Sequence, residues 1–149
     1  MDGKKIGTSM NADDIRDAFK GRTVFITGHT GFKGAWLCAI LLQLGAKIYG
    51  YSLDEPEDSR HIYHALRIRA RLENGLTSIG DVRDLPNFRH ELEKSRPDFL
   101  FHLAAQPIVS VSYKDPYKTF TSNILGVTNV LEILRTELVS PTSVLITSD

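Results

Sequence analysis

The stretch Thr27-Gly28-His29-Thr30-Gly31-Phe32-Lys33-Gly34 follows directly on the apolar run Val24-Phe25-Ile26. Together they predict a strand, a glycine-rich turn and a helix that starts near Phe32. A Gly-x-x-Gly-x-x-Gly turn in that setting suits a dinucleotide pyrophosphate for two physical reasons. Backbone must approach the phosphates with no Cβ in the way, and the free N–H groups of a helix N-terminus must point at the charge. In this pattern Gly28 permits the tight turn, Gly31 the close approach of pyrophosphate, and Gly34 the close contact of helix and strand. Phe32 and Lys33 add backbone N–H groups from the first helical turn, while the Lys33 side chain is equally compatible with solvent.

Working outward, Arg22 to Thr27 reads as the first strand and Phe32 to Leu44 as its helix. That helix is apolar all round (Trp36, Leu37, Ile40, Leu41, Leu44), as expected for packing on a sheet, so Trp36 and its other aromatics are assigned to the core. Gly45 closes the helix, and Ala46 to Tyr51 forms a second strand. An acidic loop, Asp54-Glu55-Pro56-Glu57-Asp58, leads to a helical pattern from Ser59 to Leu72 and a turn at Asn74-Gly75. Leu76 to Ile79 is a short strand, and Asp84 caps a helix that runs to Ser95 and is broken by Arg96-Pro97. Asp98 to Leu103 is the fourth strand. Asp115-Pro116 opens a long helix, Tyr117 to Leu138, and Ser143 to Thr147 is the fifth strand.

Residues 1–20 read as a polar leader, Met1 to Asn11, with a short helix, Asp13 to Lys20, that sets Ile15 and Phe19 on one face. Residues 21–149 read as the N-terminal part of a nucleotide-binding domain. Strands alternating with helices predict an α/β fold with a doubly wound parallel sheet. Ligands of such sheets bind beyond the carboxyl ends of the strands, where the loops singled out here fall.

Composition narrows the classes. The chain has 149 residues, enough for one core, with 42% apolar and 24% charged residues, as in ordinary globular domains. Eighteen basic residues balance eighteen acidic ones, so no bulk field recruits nucleic acid or an anionic membrane. The single Cys38 excludes an intramolecular disulfide framework and reads as a buried small side chain in a reducing, cytoplasmic setting. No apolar leader is visible, and Ala35 to Leu42 is far too short for a membrane span. The final Val144-Leu145-Ile146-Thr147-Ser148-Asp149 sets a strand at the very end of the chain, so a further C-terminal portion is expected.

With these loops placed, the chain resembles the N-terminal part of an extended short-chain dehydrogenase/reductase, and within that superfamily it is most similar to the CDP-glucose 4,6-dehydratases. The residues that carry the resemblance run from Thr27 to Leu37, then Tyr49-Gly50-Tyr51-Ser52-Leu53 and Gly80-Asp81-Val82-Arg83-Asp84. They continue with Phe101-His102-Leu103-Ala104-Ala105-Gln106-Pro107, Asn123-Ile124-Leu125-Gly126 and Thr147-Ser148-Asp149. The resemblance implies tightly held NAD that takes a hydride from the sugar C4 and returns it to C6 after water is eliminated across C5 and C6. CDP-glucose would become CDP-4-keto-6-deoxyglucose, a precursor of deoxysugars in surface polysaccharides.

It further implies that Asp81 and Val82 flank the adenine. Leu103, Ala104, Ala105, Gln106 and Thr147 would lie along the cofactor, and Asn123 would tie this region to the fifth strand or the cofactor. Ser148 would polarise the C4 oxygen and Asp149 protonate the departing C6 hydroxyl, which requires a carboxyl pKa raised by desolvation. A Tyr-x-x-x-Lys pair would follow Asp149, so the 149-residue chain alone is expected to be inactive. Relatives commonly form homo-oligomers through the helix that corresponds to Tyr117–Leu138.

One position departs from the usual fingerprint. The acidic residue expected about 20 residues after the turn, on the adenosine ribose, is replaced by Tyr51-Ser52, with Asp54 slightly later. Ser52 or Asp54 would serve the ribose. No Arg stands at the strand end to meet a 2′-phosphate (Arg60 is well beyond it), which favours NAD over NADP. His29, His61, His64, His90 and His102 show no metal spacing, and His102 reads as a satisfied core residue. Two alternatives remain: another sugar-nucleotide epimerase or dehydratase of the superfamily, and a non-catalytic NAD-binding module.

Overall fold

A computed structural model describes residues 11–72, 77–136 and 140–147. The short helix α1 (Ala12–Phe19) is opened by a capping box, in which Asn11 accepts from the Asp13 and Asp14 amides and Asp14 answers back to the Asn11 amide. Strand β1 (Thr23–Thr27) then runs into the glycine turn and helix α2 (Phe32–Gln43), followed by β2 (Lys47–Ser52). Two short helices, α3 (Ile62–Ala65) and α4 (Ile68–Arg71), precede β3 (Thr77–Ile79), α5 (Leu85–Ser95) and β4 (Phe99–His102). After β4 come α6 (Val109–Lys114) and α7 (Pro116–Phe120), a π-helical turn (Thr121–Leu125), α8 (Gly126–Thr136) and β5 (Thr142–Leu145).

The five strands form one parallel sheet in the order β3-β2-β1-β4-β5. This is the predicted doubly wound, Rossmann-type layout, with the strand order reversing at β1. Side chains alternate along each strand, and each face has its own core. Val24, Ile26 and Ile48 pack with Ala35, Cys38 and Leu41 of α2 and with Tyr63 and Ile68 of α3 and α4. On the opposite face Phe25, Tyr49, Tyr51 and Leu100 pack with Phe88 and Leu92 of α5 and Val130 and Ile133 of α8. Stacked rings dominate that second layer, with Phe25–Tyr49 at 5.4 Å and Tyr51–Phe88 at 5.2 Å between centroids. Phe19 of α1 joins the first layer by lying 4.8 Å from Phe99.

Several expectations are corrected. The helix predicted over Ser59–Leu72 is two, broken at Leu66–Arg67, where Arg67 takes a left-handed backbone with φ +50. Tyr63 and Ile68 are both fully buried yet five residues apart, and a continuous helix would aim them in widely different directions. The break lets both reach the core. The predicted helix Tyr117–Leu138 is interrupted by the π turn and preceded by an unforeseen helix, α6.

The aromatics of α2 are not core: Phe32 and Trp36, with Ile40, form an exposed stripe. The helix lies against the sheet through Gly34, Ala35, Cys38, Ala39 and Leu41, so Phe32, Trp36 and Ile40 fall on the outer side. Cys38 itself is buried as expected, and desolvation pushes its thiol up to about 12. Strand β5 is Thr142–Leu145 rather than Ser143–Thr147. The Asn74-Gly75 turn and Leu76 lie outside the described residues. Among the described residues no helix is long and apolar enough to cross a membrane.

Candidate dinucleotide site

The turn between β1 and α2 is closed on itself with no space for side chains. Gly28 has φ +71, which favours glycine, and its N–H donates to the Tyr51 carbonyl at 2.8 Å. A Cβ on Gly28 would stand 2.8 Å from the Ala104 nitrogen and 3.0 Å from the Leu103 carbonyl carbon, so the end of β4 lies directly against the turn. A Cβ on Gly34 would stand 2.2 Å from the Gly28 oxygen and 2.8 Å from the His29 Cα. Gly31 differs: it is exposed, and only the Gly28 oxygen, at 3.3 Å, would touch a Cβ there. Gly31 is the N-cap of α2 and offers no side chain to the helix end. The first-turn amides of α2, at Phe32, Lys33 and Gly34, have no carbonyl one turn back within the helix. Phe32 and Lys33 are exposed. An anion placed over Gly31 would meet these N–H groups and the positive end of the helix dipole.

At the end of β2, Ser52 is buried and its hydroxyl lies 2.9 Å from His29 Nδ1. The His29 ring fills the room left by Gly50, where a Cβ would stand 2.5 Å from the ring, and it meets Tyr63 edge-on at 5.9 Å. Burial pushes His29 down to about 4, so the ring is neutral at physiological pH. Asp54 is exposed. The Ser52 hydroxyl thus already has an internal partner.

Asp81 and Val82 follow β3. The Asp81 carboxylate accepts from the Arg83 guanidinium through Nε and Nη2, and from the Arg83 amide at 2.9 Å. The guanidinium holds the Asp81 carboxyl below its usual range. Arg83 Nη1 also reaches Thr121 Oγ1 at 3.4 Å, which spans a cavity of about 370 Å³ lined by Asp81, Arg83, Asp84, Tyr117, Thr121 and Leu125. Val82 is buried, and its carbonyl accepts from Asn129 Nδ2 at 2.8 Å. Tyr51 hydroxyl donates to the Asp81 carbonyl at 3.1 Å, so β2 and the loop after β3 are tied together.

The exit of β4 is held from two sides. Thr27 Oγ1 accepts the Leu103 and Ala104 amides at 3.1 and 3.2 Å and lies 2.8 Å from His102 Nδ1. From the other side, Asn123 in the π turn pairs with the Gln106 backbone, accepting its N–H at 2.7 Å and donating to its carbonyl at 3.1 Å. The Gln106 side chain is engaged by Ile108 and Thr119. A π turn marks many functional sites because it re-aims side chains within a helix, and here it aims Asn123 at the β4 loop.

The structure therefore gathers Gly28, Gly31, Phe32, Lys33, Gly34, Leu103 and Ala104 at one place, with Ser52 beside them through His29. Asp81 and Val82 stand at the β3 end of the same sheet edge. Ala105 is exposed, as is Thr147 just past β5. Ser148 and Asp149 lie outside the described residues. His102 is a correction, because it is buried but only half satisfied: Nδ1 is bonded while Nε2 has no partner among the described residues. The parts that sequence reasoning missed are Thr27 and Asn129. The signal for Asn129 was a lone polar residue on the apolar face of α8; Thr27 carried none beyond its place before Gly28.

Known proteins resemble this chain in sequence and fold. Residues 25–148 match the family model described as GDP-mannose 4,6 dehydratase. CDP-glucose 4,6-dehydratase of Salmonella typhimurium is 38% identical over 120 residues, which cover 80% of this chain and 32% of that protein. Among solved structures, the epimerase Mth375 of Methanothermobacter thermautotrophicus superposes with a TM-score of 0.70 at 28% identity, covering 91% of this chain and 38% of that one. The UDP-glucose 4-epimerase of Thermus thermophilus, solved in complex with NAD, gives 0.61 at 29% identity, covering 76% and 33%. The chain spans about a third of the length of these three proteins. By its family match over residues 25–148, the chain belongs to the GDP-mannose 4,6-dehydratase family.

Proposed function

We propose that the chain is the NAD-binding part of a nucleotide-sugar 4,6-dehydratase that converts CDP-glucose to CDP-4-keto-6-deoxyglucose. The observation that carries the cofactor is the turn itself, which has no room for a Cβ at Gly28 or Gly34 but is open at Gly31 under the N-terminus of α2. Such a cradle fits a pyrophosphate. Phe32, Lys33 and Gly34 would hold it through their amides. Leu103 and Ala104, at the exit of β4, would border the dinucleotide, with Ala105 and Thr147 further along it. Asp81 and Val82 would receive the adenine. Ser52, turned toward His29, would meet the ribose only by sharing its hydroxyl. Gln106 and Asn123, whose polar groups bind each other, would shape the loop rather than touch the cofactor.

NAD is favoured over NADP because β2 ends at Ser52 with no arginine beside it for a 2′-phosphate; Arg60 stands well beyond, paired with Asp58. When bound, NAD would supply a hydride acceptor for the sugar C4 and a hydride donor for C6. Ser148 would polarise the C4 oxygen and Asp149 would protonate the leaving C6 hydroxyl. The similarity to the Salmonella protein supports CDP-glucose as substrate. A superfamily epimerase is the second reading, favoured by the epimerases among the solved neighbours. Mass spectrometry and proton NMR of CDP-glucose incubated with the full-length protein test the choice: loss of one water supports the dehydratase, and unchanged mass with C4 inverted in the NMR couplings supports the epimerase.

A further inference from the structure

We infer that His102 is a positioning residue for the dinucleotide turn: its Nδ1 accepts a hydrogen bond from the Thr27 hydroxyl and so leaves the lone pairs of that oxygen to hold the exit of β4 against Gly28. The inference rests on dinucleotide binding at the turn and adds a residue and a tautomer to it. A hydroxyl has one proton and two lone pairs. The Ala104 amide, at 3.2 Å, and the Leu103 amide, at 3.1 Å and shared with the Thr27 carbonyl at 3.2 Å, occupy both lone pairs of Thr27 Oγ1. The only direction left for the proton is His102 Nδ1, at 2.8 Å. Nδ1 must then be bare, and the neutral ring carries its proton on Nε2.

The opposite tautomer would ask the oxygen to accept three hydrogen bonds and would strand its own proton. Burial agrees, since it pushes His102 down to about 4 and keeps the ring neutral. Nε2 has no partner among the described residues, which is unfavourable for a buried donor. The ring is tolerated there for what Nδ1 does. Its effect is local and specific: Thr27 is the residue before Gly28, and the backbone that Thr27 grips is the backbone that a Gly28 Cβ would strike. If the clamp opens, the spacing between the turn and Leu103–Ala104 is no longer set.

The test uses the full chain, with NAD affinity by calorimetry, thermal stability, and the His102 tautomer by nitrogen NMR. His102→Asn places an amide oxygen near Nδ1, whereas His102→Leu keeps bulk without an acceptor; Thr27→Ser and Thr27→Val form the matching pair. H102L and T27V should each weaken NAD binding roughly tenfold, about the effect of one lost hydrogen bond. The double variant H102L/T27V should bind no worse than either single. H102N and T27S should stay within about threefold of the unaltered protein even where their melting temperature falls, because acceptor and hydroxyl are retained. Affinity that follows melting temperature across the set, additive losses in the double variant, or a ring protonated on Nδ1 would overturn the inference. If the unaltered protein binds no NAD, dinucleotide binding fails instead. The tautomer and the hydrogen exchange of the Ala104 amide in H102L then decide the clamp alone: Nε2 protonation with faster exchange supports it, and unchanged exchange overturns it.

Discussion

Gly34→Ala should damage this protein although alanine is the better helix former. A methyl group at position 34 would begin 2.2 Å from the Gly28 oxygen and 2.8 Å from the His29 Cα, both backbone atoms that cannot swing aside. Ordinary carbon–oxygen contact begins near 3.3 Å, so α2 and the turn must separate by about 1 Å, and overpacking of that kind costs about 3 kcal/mol at the upper end. Alanine returns about 1 kcal/mol of helix propensity. The net loss is about 2 kcal/mol, or roughly 6 °C in melting temperature for a chain of this size. The same displacement tilts the first-turn amides away from the pyrophosphate, so NAD affinity should fall by tenfold or more, since misplacement by about 1 Å is costly in a preorganised site. Gly21→Ala is the control: φ there is +74 but nothing lies within 4 Å. It should cost about 1 kcal/mol through backbone strain alone and leave NAD binding unchanged. Calorimetric unfolding and NAD titration of both variants decide the matter. A G34A protein with undiminished melting temperature and affinity would refute the close contact of turn and helix.

Two further perturbations follow from the buried polar groups. His29 and His102 titrate at about 4 in the fold against 6.5 in the unfolded chain, so between those values the unfolded state binds more protons. Their contribution, roughly 3 kcal/mol each, is complete above pH 6.5 and is lost as the pH falls toward 4. Urea midpoints should drop steeply across that window, and midpoints unchanged between pH 7 and pH 5 would contradict it. Asn129→Leu would strand the buried Val82 carbonyl and cost about 1–3 kcal/mol. It should also speed hydrogen exchange in the loop after β3, and a stability equal to that of the unaltered protein would show that the Asn129–Val82 bond carries no weight.

The strand, turn and helix around Gly28 were legible in the sequence because glycine spacing and apolar runs are local signals. Close approach at Gly34 was legible for the same reason. What the sequence hid are effects of distant partners. Trp36 looked like core because α2 is apolar all round, yet the face that packs on the sheet is the one that carries Gly34, Ala35, Cys38, Ala39 and Leu41, and Gly34 is held close to the turn at Gly28 and His29. The break at Arg67 arises because Tyr63 and Ile68 are both claimed by the same core. Nor does the sequence show that the Ser52 hydroxyl, read as serving the ribose, and the Gln106 side chain, read as lying along the cofactor, are bonded by His29 of the glycine turn and Thr119 of α7. Likewise His102 read as satisfied, since no local pattern reveals that one of its nitrogens lacks a partner.

The most direct measurement follows the label when the full-length protein turns over CDP-glucose deuterated at C4. A dehydratase that carries the hydride on NAD held in the Gly28–Gly34 cradle should release a product lighter by one water, with deuterium retained at C6 and no NADH left behind. A product of unchanged mass, or a dehydrated product whose deuterium has been lost to solvent, would contradict it.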